Sequence, residues 1–205
     1  MARLQACGVI MAGGRSTRMG RNKALLPVGG RRLVEHVADL FRDLFEQVLV
    51  STNEPETYAF LGLPAVADRI PGSGPLGGIE AGLKASRFRA AFFAACDMPL
   101  LNRDLIAYLV SLAADHDAVV PRVDGQWETL HAVYTRDALP AVTAQLDSGD
   151  FKVARFFPRV RVRAVEEAEL ARFGPPRRLF FNCNTPQEYE EALRLFGAGP
   201  EPPEG

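Results

Sequence analysis

Cysteine is scarce in this chain of 205 residues: only Cys7, Cys96 and Cys183, an odd count with no C-x-x-C spacing. That excludes a disulfide-stapled scaffold and the usual cysteine-based zinc sites. All three sit in or beside apolar runs and read as small buried hydrophobes. No apolar run approaches the roughly 18 residues of a membrane span. Gly8, Gly13 and Arg15 interrupt the apolar stretch near the start, so it lacks a secretory h-region, and a cytoplasmic location is expected. Net charge is −1, which offers no global field for nucleic acid or a membrane surface. Acidic residues are missing altogether from positions 1–34, where seven basic ones stand: Arg3, Arg15, Arg18, Arg21, Lys23, Arg31 and Arg32. A field of one sign at one end of the chain favours an anionic ligand there.

What is present is an ordinary globular composition, 47% hydrophobic and 24% charged, enough for one domain with a substantial core. Strand and helix patterns alternate. Cys7–Met11, Gln47–Thr52, "AVAD" (65–68), "AAFFAACD" (90–97) and "DAVVP" (117–121) read as strands. Between them, Leu33, Val37, Leu40, Phe41 and Leu44 fall at helical spacing, Pro75 suits a first helical turn, and Asn102 caps a helix over 103–114. Further on, "TLHAVY" (129–134), "VRVRAV" (160–165) and "RLFFN" (178–182) read as strands, the second as a charged edge strand. Asp137–Leu146 and Pro186–Phe196 read as helices, the latter capped by Thr185. Residues 1–196 are read as a single domain and 197–205, "GAGPEPPEG", as a disordered tail. Such alternation implies a mostly parallel sheet covered on both faces, with ligands beyond the carboxyl ends of its strands.

The first loop, "MAGGRSTRMGRNK" (11–23), is neither common phosphate motif. Five residues separate Gly14 from Gly20 and Arg-Asn follows, so a Walker A loop fails; Gly13 and Gly14 are adjacent, so the dinucleotide fingerprint fails. Bare backbone can still offer N–H groups to a phosphate, with Arg15 and Arg18 able to fork onto its oxygens. The competing reading is a tight turn with a solvated basic face. At the other end of the site, Asp97 follows a run that must be buried. An ionised carboxylate there calls for a partner or a metal, and Mg²⁺ uses one or two carboxylates plus water and substrate phosphates. The alternative role is a turn former or a cap for the helix after Asn102. Asp68, ending "AVAD", is the weaker carboxylate, expected to pair with Arg69 or an arginine of the first loop. His131 reads as a satisfied core or pocket histidine, His36 as structural, and Trp127 as either a ring cover or a loop closure.

With these residues assembled, the chain resembles the molybdenum cofactor guanylyltransferase family. "MAGGRSTRMGRNK" is similar to its first loop, "GPLGGIEAGL" (74–83) to its second glycine loop, "CDMP" (96–99) to its metal site and "NCNTPQEY" (182–189) to its C-terminal motif. One departure is "WETLHAVY" (127–134), where Glu128-Thr129 replaces a proline. The resemblance implies an α/β, three-layer Rossmann-like nucleotidyltransferase fold with a mostly parallel central sheet. It assigns Met11, Ala12, Gly13, Gly14, Arg15, Lys23, Asp68, Gly77, Gly78 and Asp97 to GTP, with Mg²⁺ on Asp97. It places Asn182 and Asn184 near the molybdopterin acceptor, with Lys152 and Arg155 as a basic pair for its phosphate.

The expected reaction is attack by an acceptor phosphate oxygen on the α-phosphorus of GTP, with pyrophosphate leaving. The acceptor is already ionised, so no general base is needed, which fits the lack of a histidine or cysteine set as nucleophile. Lys23, Arg18 and Asp97 are the catalytic candidates, with Arg15 and Arg21 as helpers. Substrates are then small molecules, with transient contacts to cofactor-insertion proteins or molybdoenzymes as the expected protein partners, and no nucleic acid or membrane. The rival readings are another NTP transferase, such as a molybdopterin cytidylyltransferase or a sugar-phosphate nucleotidyltransferase, and a GTP-binding adaptor without turnover.

Overall fold

The structure is a computed structural model and describes residues 2–13 and 22–197. Along the chain run β1 (Leu4–Met11), β2 (Pro27–Val28), β3 (Arg31–Arg32), α1 (Leu33–Leu44), β4 (Phe45–Ser51), α2 (Pro55–Tyr58), β5 (Ala65–Val66), α3 (Pro75–Ala85), β6 (Ala90–Ala95) and α4 (Arg103–Ser111). The second half adds β7 (Ala118–Val123), β8 (Gln126–Trp127), β9 (His131–Thr135), α5 (Leu139–Asp147), β10 (Val162–Glu166), α6 (Glu167–Leu170), α7 (Pro176–Leu179) and α8 (Pro186–Gly197).

Among the described residues the main sheet has the order β10-β7-β9-β6-β1-β4-β5, with β8 pairing on β7. The strands β6, β1, β4 and β5 are mutually parallel, as are β10 and β7. Between these groups β9 runs antiparallel to both β6 and β7. The sheet is therefore mixed and mostly parallel.

Both faces are covered, which explains why the central strands carry runs of consecutive apolar residues, as at Val9–Met11, Val48–Val50 and Ala90–Ala95, rather than alternating ones. In β1, Ala6 and Ile10 point to one face with Val37 and Phe41 of α1 and Leu105 and Leu109 of α4. Cys7, Val9 and Met11 point to the other with Ile79 and Leu83 of α3 and Val142 and Leu146 of α5. Phe92 and Phe93 of β6 divide in the same way. A smaller cluster of Val28, Leu33, Phe181, Cys183 and Ala192 fastens α8 to the β2–β3 hairpin. All three cysteines are free, with Cys7 and Cys183 buried.

"RLFFN" is not a strand. Pro175 is extended and Pro176 opens α7, whose Leu179 N–H bonds back to the Pro175 carbonyl at 3.1 Å. Two prolines preset the turn, and Phe180 and Phe181 are buried just beyond it without joining the sheet. The charged segment at 160–165 is an edge strand as expected, β10. The helix after Asn102 ends at Ser111 and tightens to a 3-10 turn over Leu112–Ala114. The tail from 198 lies outside the described residues. No described helix is long and apolar enough to cross a membrane.

Candidate active site

The parallel strands β1, β4 and β6 deliver their carboxyl ends to one edge of the sheet. Residues 11 and 12 are threaded between the neighbours: Ala12 N–H donates to the Ser51 carbonyl at 2.9 Å, and Cys96 N–H to the Met11 carbonyl at 3.1 Å. Gly13 beyond them is exposed.

The second glycine loop seats α3 against this edge. Gly74, just before Pro75, has φ +60°, in the left-handed region that favours glycine. A Cβ on Gly78 would overlap Met11 Cε and lie 2.6 Å from Ser51 Oγ, and one on Gly77 would lie 3.0 Å from Asp68 Cγ. Two adjacent glycines, turned to different neighbours, are thus what let the first turn of α3 touch β1, β4 and Asp68.

Asp68 does not pair with Arg69. Its carboxylate accepts from Asn53 Nδ2 at 2.9 Å, while its own N–H donates to Asn53 Oδ1 at 2.9 Å. Arg69 instead turns to Glu80 (3.1 Å) and Asp147 (2.7 Å). Glu80, only 1% exposed, captures the guanidinium because a buried carboxylate needs donors more than an exposed one does. It also takes Lys84 at 2.8 Å and Thr143 Oγ1 at 2.9 Å, and these partners together hold its carboxyl below the usual range despite burial. Burial pushes Asp68 up, with the Asn53 hydrogen bond opposing.

Lys23 begins a 3-10 turn whose cap is Asn22: Asn22 Oδ1 accepts from Ala24 N–H at 3.1 Å and Asn22 Nδ2 donates to the Tyr58 hydroxyl at 3.0 Å. The Lys23 ammonium donates to Asn184 Oδ1 at 3.1 Å, bridging 161 positions of sequence. Asp97, just past β6, is partly buried. Burial raises its carboxyl, a hydrogen bond from its own backbone and the Lys23 charge pull it back, and Glu188 pushes it further up. Its carbonyl accepts from Cys183 N–H at 3.0 Å, which draws the C-terminal motif to the same edge. Thr185 and Glu188 of that motif cap α8 reciprocally: Glu188 Oε2 accepts from Thr185 N–H at 2.8 Å, and Thr185 Oγ1 from Glu188 N–H at 3.2 Å.

Three confluent cavities result. One of about 650 Å³ runs from Gly13 past Ser51, Asn53 and Asp68 to Gly74 and Gly78. A central one of about 420 Å³ shares Met11, Ala12, Gly13, Asn22, Tyr58 and Leu130 with it and adds Lys23 and Asp97. A third, about 480 Å³, continues past Glu128, Asn182 and Asn184 toward Arg177 and Glu191.

Met11, Ala12, Gly13, Lys23, Asp68, Gly78, Asp97, Asn182 and Asn184 therefore line one groove, with Gly77 packed behind Asp68. Lys152 and Arg155 do not line it; they are exposed near a 3-10 turn beside α5, where Arg155 faces Asp150 at 3.7 Å. Gly14, Arg15, Arg18 and Arg21 lie outside the described residues. His131 is fully buried but not satisfied: neither ring nitrogen has a partner among the described residues, and the edges of Phe92 and Phe180 enclose it at 5.2 and 4.9 Å. The apolar strand that buries its ring offers it no acceptor, and burial drives its pKa down to about 3. His36 is structural, its Nε2 2.9 Å from the Val28 carbonyl and its ring on Phe196. Trp127 sits edge-on to Phe157 and forms part of the central cavity wall.

Sequence reasoning missed Asn22, Tyr58, Glu80 and Glu188 as supports. Thr185-x-x-Glu188 is a readable capping box, and Glu80-Lys84 is a readable i,i+4 pair. No local signal marks Tyr58.

A groove at the carboxyl ends of parallel strands, with bare backbone at one wall and a lysine facing a carboxylate, is the layout of an α/β nucleotidyltransferase. The model of the MobA-like NTP transferase domain family matches residues 8–165, and the chain belongs to that family. It is 40% identical over 189 residues to a probable molybdenum cofactor guanylyltransferase of Pelotomaculum thermopropionicum, covering 92% of each chain. A protein of the same description from Carboxydothermus hydrogenoformans is 37% identical over 187 residues, 91% of this chain and 94% of that one. The fold matches the crystal structure of molybdopterin-guanine dinucleotide biosynthesis protein A from Archaeoglobus fulgidus with a TM-score of 0.82 at 24% identity, covering 94% of this chain and 99% of the other.

Proposed function

We propose that this protein transfers GMP from GTP to the terminal phosphate of molybdenum-bearing molybdopterin, forming the guanine dinucleotide cofactor and releasing pyrophosphate. Relatives of that description match along more than nine-tenths of the chain. The observation that carries the reading to chemistry is the meeting of Lys23, Asp97 and Asn184 in the central cavity, with open compartments on either side. We assign GTP to the Asp68 side, its phosphates to the centre, and the acceptor to the Asn182 side. Residues 1–196 act as one catalytic unit in the cytoplasm.

The residues present suit Mg²⁺ that arrives with the nucleotide. Among the described residues no group of three or more metal-binding side chains exists. Asp97 is a lone, partly desolvated carboxylate with acceptor capacity to spare, which matches an ion that takes its other ligands from phosphates and water. Bound there, the ion would supply charge neutralisation at the α-phosphate.

In the reaction a P–O bond forms from the acceptor phosphate to the α-phosphorus, and the bond to the β-phosphate oxygen breaks. The electron pair leaves on pyrophosphate. Lys23 compensates this charge while Asn184 fixes the direction of its ammonium. Arg18, with Arg15 and Gly14, is assigned to the same phosphates. The backbone at Met11–Gly13 and the α3 start, which Gly77 and Gly78 seat close to it, are assigned to the base. The basic pair Lys152 and Arg155 would serve the acceptor only by reaching in from outside the groove.

The test is nucleotide choice. With molybdopterin and Mg²⁺, GTP should support pyrophosphate release at least a hundredfold better than CTP or ATP. Preference for CTP would replace this reading with a cytidylyltransferase, and tight GTP binding with no release would replace it with an adaptor.

A further inference from the structure

Among apolar and amide side chains, the third cavity carries five acidic residues and one arginine, and its acids can be sorted by what they already hold. Glu188 holds the α8 cap through three bonds from Thr185 and Asn184. Glu167 accepts from Asp124 N–H at 3.0 Å. Glu191 holds Arg177 at 3.3 Å. Asp124 is exposed at a tight turn with φ +49°. Glu128 is different: it is partly buried, stands in the partition between the central and third cavities, and its carboxylate meets no partner among the described residues.

Its backbone is pinned, by its own N–H to the Pro121 carbonyl at 3.0 Å and by His131 N–H to its carbonyl at 3.1 Å. A carboxylate on a pinned backbone, half out of water and unpaired, calls for N–H donors from a ligand. A phosphate deep in this compartment would face five carboxylates against the single Arg177 guanidinium. The acceptor's phosphate must therefore stay at the Lys23 end, and its uncharged end must enter the acidic compartment.

Building on the functional reading above, we infer that Glu128 is a specificity-determining residue for the acceptor. Its carboxylate receives the paired ring N–H and exocyclic N–H donors of a 2-amino-4-oxopyrimidine edge, as found in a pterin. Two parallel bonds to one carboxylate orient the ring and aim the distant phosphate at the central cavity. Guanine carries the same donor edge. Glu128, however, is absent from the wall of the Asp68-side cavity, so the source assigned here is the acceptor rather than the nucleotide.

The experiment uses the full chain and its Glu128→Gln and Glu128→Asp variants, with three readouts: calorimetric affinity for GTP with Mg²⁺, fluorescence-quenching affinity for phosphate-free 6-hydroxymethylpterin, and transfer kinetics with molybdopterin. Glu128→Gln should weaken pterin binding and raise the acceptor KM by tenfold or more. GTP affinity, kcat at saturating acceptor and melting temperature should stay unchanged. Glu128→Asp, which keeps the charge on a shorter stem, should fall between. Loss of GTP affinity with unchanged pterin binding would move the contact to guanine and overturn the inference, as would unchanged constants throughout. If the wild-type protein failed to transfer GMP, the functional reading would fall, while the pterin-binding arm would still decide the role of Glu128.

Discussion

At the residue scale, two side chains carry opposed burdens. Asp97 costs the free protein something, because burial raises its carboxyl against the pull of its own backbone hydrogen bond and the Lys23 charge. Asp97→Asn should therefore leave thermal stability unchanged or higher while removing Mg²⁺-dependent turnover, a split that a melting curve beside a pyrophosphate assay will reveal. Lys23→Ala should lower kcat about a hundredfold, near 3 kcal/mol of lost charge compensation. His131 sets an acid limit. Its folded pKa of about 3 lies below the 6.5 of an unperturbed imidazole, so above pH 6.5 it is neutral in both states and neither gains. Below that only the unfolded chain binds the proton, and stability falls by about 1.4 kcal/mol per pH unit down to about pH 3. Urea unfolding at pH 7 and pH 5 should show His131→Leu losing about 2 kcal/mol less than wild type over that interval. The meeting of Lys23 and Asp97 in one cavity was legible because each has a local cue: charge beside bare backbone, and a carboxylate ending an apolar run. Asn22 and Tyr58 left none, since their contact joins residues 36 positions apart.

At the element scale, the α3 start is where local pattern and long-range packing agree. Pro75 reads as a helix opening, and the structure shows what comes close to the glycines after it: Met11 and Ser51 at Gly78, Asp68 and Ser73 at Gly77. Gly78→Ala should cost about 2–3 kcal/mol in denaturant unfolding and weaken GTP binding as well, since the new methyl pushes α3 off β1. The rear of α3 is tied by Glu80 to the segment after β5 through Arg69 and to α5 through Thr143. Pattern failed where apolar residues are buried without sheet pairing. Phe180 and Phe181 made "RLFFN" look like a strand, but Pro175 and Pro176 direct the backbone into a turn. The antiparallel sense of β9 was equally invisible, because alternation reports which face a side chain takes and not the direction of its strand.

At the scale of the whole molecule, one sheet edge organises three compartments from segments at both ends of the chain. The bond from Lys23 to Asn184 and the one from Cys183 to Asp97 close that arrangement. The motif at 182–189 then acts as a wall that positions Lys23 as well as bordering the third cavity. Removing the wall contact with Asn184→Ala should lower kcat about tenfold with little change in GTP affinity, because the ammonium loses its direction and keeps its charge. The account rests most heavily on the placing of GTP phosphates between Lys23 and Asp97. The direct measurement is single-turnover pyrophosphate release from GTP with Mg²⁺ and molybdopterin, comparing wild type with Asp97→Asn. A drop of a hundredfold or more, with GTP still bound, is what the account predicts; release at the wild-type rate would contradict it.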